Sequence, residues 1–159
     1  MKPIVLSAAL CTIAYVAAIA PAQEILKVRD GLSESGKLIS KMQGRWKLVA
    51  MQKDGEEMDS AKFRGTRTLI REDRLVMTKP DGDADVFRFT VNVIKTQNQI
   101  DLTSLESQGK TRTLPGIIEF ESDTLRLIVN LEPGERPVSI RDAGKQNIIV
   151  MEFERVKCP

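Results

Sequence analysis

After Gly44 the apolar residues fall at every second position in short runs, and turn-forming residues cut the runs apart. That alternation restricts the chain to an antiparallel β fold. Trp46, Leu48 and Ala50 alternate with Lys47 and Val49, and Asp54-Gly55 is a turn dipeptide. Met58 to Arg64 reads as irregular or briefly helical. Thr66 to Arg71 and Arg74 to Lys79 predict a hairpin around Glu72-Asp73, and Pro80-Asp81-Gly82 is a further turn. Val86 to Ile94 follows, with Phe87, Phe89, Val91 and Val93 on one face. Strands are then predicted over Gln99 to Thr103, Thr111 to Glu121 and Thr124 to Leu131, the last two joined by Ser122-Asp123. Pro133-Gly134 turns the chain, Arg136 to Arg141 is a weaker strand, and Asn147 to Arg155 closes with Ile149, Met151 and Phe153 on one face.

Eight or nine strands at near-regular spacing, with almost no helix between them, predict one all-β domain over residues 42–157. The expected architecture is a single antiparallel up-and-down barrel of about eight strands, with a sandwich as the other solution. About eight strands close a barrel whose interior is either just filled or holds one small ligand. No internal repeat points to a propeller or solenoid.

Ahead of the barrel, residues 23–41 read as a polar linker and a short helical lead-in, Ser35 to Met42. Residues 1–22 have the three-part design of a signal peptide: Lys2, an apolar stretch from Ile4 to Ile19, and Ala20-Pro21-Ala22 before Gln23. The apolar stretch falls short of the roughly 20 residues that span a bilayer comfortably, so cleavage is favoured over a retained anchor. The expected location is extracytoplasmic, periplasmic or secreted, with no membrane span after cleavage.

The chain contains no histidine, which removes Ser-His and Cys-His catalysis and imidazole-ligated zinc together. With no nucleophile motif either, an enzyme is not expected, and no cofactor or metal is implied. Cys11 lies in the signal segment and Cys158 next to the C-terminus. The mature chain therefore has one thiol and is expected to be a monomer or a Cys158-linked dimer. Basic and acidic residues number 24 and 22, and no basic run interleaves with aromatics, so a nucleic-acid partner is not expected.

The stretch Gly44-Arg45-Trp46, opening the first strand after a helical turn, resembles the G-x-W signature of the lipocalin superfamily. The resemblance implies that Trp46 packs across the closed end of a barrel with Arg155, from the last strand, against its ring. A wider resemblance runs from Leu38 to about Arg155. The segments MQGRWKLVAMQKDGEEM, TLPGIIEFESDTLRLIV and PGERPVSI are similar to a secreted domain of unknown function found in planctomycete bacteria. The matching positions include Gln43, Gly44, Trp46, Gly116, Glu119, Asp123, Glu135, Arg136 and Pro137, whereas Ile118 and Ile128 stand where that family usually has Tyr and often Cys. This resemblance implies a lipocalin-like barrel outside the cytoplasm and carries no activity.

Two functions are then open. In the first, the barrel is a binding module that holds a small apolar ligand. Its expected inward positions are Phe87, Phe89, Val91, Ile100, Leu102, Leu125, Leu127, Ile149, Met151 and Phe153. In the second, those aliphatic side chains fill a narrow barrel, and the protein is an interaction or inhibitor module that meets an extracytoplasmic protein through surface loops. Gly44, Trp46 and Arg155 are expected to form a structural cluster, Gly44 letting the helical turn approach the barrel floor. The carboxylate pairs Glu119/Glu121 and Glu152/Glu154 read as outer-face charges rather than glycosidase machinery. Asp81, Asp83 and Asp85 resemble half a calcium loop but lack its remainder, Asn92 standing where the closing Glu belongs. Glu135-Arg136-Pro137 is expected to be a rim turn in which Glu135 pairs with a neighbouring Arg.

Overall fold

The computed structural model describes residues 34–105 and 111–157. The expected signal segment, most of the linker and Cys158 lie outside them. Nine strands form one antiparallel sheet: β1 (Gly44–Lys53), β2 (Glu56–Glu57), β3 (Arg67–Arg71), β4 (Arg74–Thr78), β5 (Ala84–Ile94), β6 (Gln97–Leu105), β7 (Thr111–Glu121), β8 (Thr124–Asn130) and β9 (Ile148–Arg155). β1 pairs with β3, each strand from β3 to β8 pairs with the next, and β9 pairs back onto β1. Eight strands thus close an up-and-down barrel, and β2 is an extra strand on β1. The described part of the helical lead-in, α1, covers residues 34–42, as the sequence predicts.

Closure depends on β1 changing partners along its length. Gly44 to Lys47 pair with β3, while Gln52 and Lys53 pair with β2, and the register to β9 shifts between Leu48 and Ala50. Such an irregularity bends a strand and lets the sheet curl shut. The tight turns place residues at positive φ: Asp54 and Gly55 at 55° and 84°, Glu72 at 56° and Ser122 at 55°.

Burial alternates as the sequence predicts. In β3 it reads exposed at Arg67, buried at Thr68, exposed at Leu69 and buried at Ile70. The inward set forms one contiguous cluster running from Met42 and Trp46 to Met77 and Leu114. A second, smaller cluster of Ile117, Ile128, Ile148 and Val150 lies on the outer face, with Ala143 against it.

That outer cluster explains a correction. Arg136 to Arg141 is not a strand. Residues 131–147 instead form a strap across the outside of the barrel, ending in a 3-10 turn over Ile140–Gly144. Asp142 closes this turn by accepting from the backbone N–H groups of Val138 and Ser139, while the Ser139 hydroxyl accepts from Arg141. The strap buries Ile117, Ile128 and Val150, side chains that a barrel packed on its inside alone would leave in water.

Candidate interaction surface

The residues expected to line a ligand chamber all reach the interior. Phe89, Ile100, Leu102, Leu125, Leu127, Met151 and Phe153 are buried in the main cluster, and Phe87, Val91 and Ile149 are half-buried against it. Around three of them the packing leaves no space. Leu125, Leu127 and Phe153 retain 0% of their surface. A void large enough for water beside them would leave some surface accessible.

At the closed end, the Trp46 indole N–H donates to the Met42 carbonyl at 2.8 Å, so the last turn of α1 sits on the ring. Arg155 covers the other side, 4.2 Å from the ring centroid, and donates to the carbonyls of Lys41 and Gln43. A guanidinium at a helix C-terminus satisfies carbonyls that the helix leaves open. Gly44 lies beside this arginine. Its φ is +122°, a backbone conformation that L side chains rarely adopt, and a Cβ there would also lie 3.1 Å from an Arg155 guanidinium nitrogen. Gln43 adds a clip: its side chain donates to the Glu72 carbonyl and accepts from the Glu72 N–H at 2.6 Å.

Four of the acidic candidates are engaged with neighbours. Glu119 and Glu152 flank Arg126 from β7 and β9, at 3.4 and 2.9 Å, and Glu152 foremost holds that guanidinium in its charged form. An Asp81 oxygen accepts from the Asp83 N–H, and Asp85 pairs with Lys79 at 3.2 Å. Among the described residues no three acids or thiols converge on a metal-sized site.

Arg136 is not a rim residue. Its guanidinium donates to the carbonyls of Ile100 and Gly116, both at 2.7 Å, and to Asp101 at 2.6 Å. It pins the strap where Ile100 faces Gly116 across β6 and β7. The pairing is with Asp101; Glu135 contributes a backbone carbonyl to Asn130 instead.

With β6 to β9 strapped, no other described segment crosses the outer face of β1, β3 and β4. A groove of about 570 Å³ runs along it, bordered by Arg45, Lys47 and Arg67, with Leu69 and Val156 on its apolar side. Leu69 and Val156 are 43% and 46% exposed, high for side chains of this kind. Val156 is held there because its N–H donates to the Arg45 carbonyl, extending the β9 path past its end. A larger groove near Ile94 and Val138 is bordered by Glu34, the first described residue. The β1–β3 face has a weak signature in the sequence. The signal was the outward phase of RTLIR, which places Arg, Leu and Arg where a solvated strand needs no leucine.

No protein-family model, curated protein or solved structure matches the chain.

Proposed function

We propose that this chain is an extracytoplasmic interaction module: a lipocalin-like barrel with a filled interior that binds a protein partner through its outer surface. The observation that carries the reading is the packing of the inward side chains, in which Leu125, Leu127 and Phe153 keep no accessible surface. A small apolar ligand would have to displace core side chains, at about 1–3 kcal/mol for even modest overpacking. The exported location rests on the segment from Lys2 to Ala22. Absence of histidine and the engagement of Glu119 and Glu152 by Arg126 support a non-enzymatic role.

Native mass spectrometry of the protein purified from its own envelope fraction tests the reading. The expected result is a chain beginning at Gln23 that retains a protein partner. A stoichiometric small apolar molecule held by the barrel would overturn it.

A further inference from the structure

The outward residues of β1, β3, β4 and β5 carry cations in directly opposed pairs: Lys47 faces Arg67, Arg71 faces Arg74, and Arg74 faces Arg88. Like charges directly opposite one another weaken a sheet. Of these five, only Arg88 forms an ion pair among the described residues, with Asp73 at 3.1 Å. Of the other acids near this face, Glu154 stands directly opposite Lys47 on β9, and Glu72 lies in the β3–β4 turn at its margin. The fold itself gains nothing from this arrangement, since any polar residue would serve a solvated strand face. An excess of cations around exposed Leu69 and Val156 has a use when a partner brings the counter-charge.

We propose that the β1–β3 groove binds a protein segment that presents one bulky apolar side chain flanked by carboxylates. Leu69 and Val156 would receive the apolar group, and Arg45, Lys47 and Arg67 the acids. Three features select this partner. The cations are complementary to carboxylates, and arginine forks grip them bidentately. The groove is concave, so it accepts an inserted side chain, whereas a bilayer surface is engaged by protruding apolar groups. Its one aromatic border residue, Trp46, is buried, which leaves no platform on which a nucleic-acid base could stack. This inference rests on the interaction-module reading and names the surface and partner class within it.

A random peptide library displayed on phage and selected on the immobilised full chain tests it. Enriched sequences are expected to carry Asp or Glu on both sides of Leu, Ile, Phe or Met. Their synthetic peptides should bind about tenfold or more weakly to Arg67→Glu and to Leu69→Asp, and more weakly as salt rises. Thr113→Glu, on the exposed outer face of β7, should bind like the parent. Circular dichroism melts confirm that each variant is folded, and Arg67→Gln serves if Leu69→Asp is not. No enrichment, enrichment of neutral or basic sequences, or peptides indifferent to these variants would overturn the inference. So would binding to duplex DNA, or to phosphatidylglycerol vesicles in preference to the peptides, lost in the same variants. If the partner found by native mass spectrometry binds Leu69→Asp as well as the parent, this groove is wrong and the module reading stands. A small ligand in the barrel would remove the module reading itself.

Discussion

The Arg155 guanidinium lies 4.2 Å from the centre of the Trp46 ring while it donates to the carbonyls of Lys41 and Gln43. One side chain from the last strand therefore fastens the first strand and the helix that plugs the barrel. Trp46 faces Arg155 in register across β1 and β9, at the seam where the barrel closes. Helix, seam and core floor meet at this pair.

Trp46→Ala should lower stability by about 3 kcal/mol or more, because it opens a cavity under α1 and leaves both the Met42 carbonyl and Arg155 without their ring partner. Urea denaturation of the variant measures this. A variant as stable as the parent would contradict the closed-end account.

Leu127→Ala tests the filled interior. The side chain has no accessible surface, so truncation should cost about 2–5 kcal/mol. The new dry cavity should bind benzene, as engineered apolar cavities do, while the parent binds none. Benzene binding by the parent, read from a shift in its melting temperature, would show a chamber already present.

Thr68→Val should stabilise the protein by about 1 kcal/mol. The Thr68 hydroxyl is buried opposite Trp46 and has no protein hydrogen-bond partner. Valine keeps the shape and removes an unsatisfied polar group. A lower denaturation midpoint would indicate that the hydroxyl is satisfied in solution.

Gly116→Ala should destabilise by about 1–3 kcal/mol. A Cβ there would sit 2.7 Å from the Ile128 carbonyl oxygen and 3.0 Å from a Val129 methyl, and a backbone oxygen held in the ladder cannot swing aside. The same strain should loosen the Arg136 anchor, which bonds the Gly116 carbonyl. Faster hydrogen exchange at Val138 and Ser139 would report this loosening. Unchanged exchange with unchanged stability would contradict it.

Asp142 predicts a pH dependence. The Lys145 ammonium, and then the backbone N–H groups of Val138 and Ser139, hold its carboxyl below the ordinary value. Because the folded value lies under the unfolded one, near 3.9, Asp142 stabilises the fold above that pH. The contribution is lost as pH falls through the lower folded value. The melting temperature of Asp142→Asn should therefore trail the parent's at neutral pH, and the gap should narrow below about pH 4. A gap independent of pH would rule this role out.

Much of the fold was legible because its signals are local. Alternation at Phe87, Phe89 and Val91 and at Ile149, Met151 and Phe153 fixes which side of each strand is apolar, and turn residues fix where strands reverse. The Trp46–Arg155 contact was reachable from the family resemblance. The strap was not, since Val138 and Ile140 share a phase and mimic a strand. A compensating signal lay elsewhere: Ile117-Ile118 and Leu127-Ile128-Val129 are apolar on both phases, which marks strands covered on both faces. β2 escaped because two residues, Glu56 and Glu57, carry no periodicity.

The sequence by itself determined the all-β class and the inward phase of the strands it located, since each follows from neighbours along the chain. Only the tertiary structure decided how the inward side chains pack, because that depends on volumes contributed by eight strands at once. It also decided which outer face stays bare. The strap, pinned through Arg136 to backbone carbonyls at positions 100 and 116, covers β6 to β9 and leaves Leu69 among its cations in water.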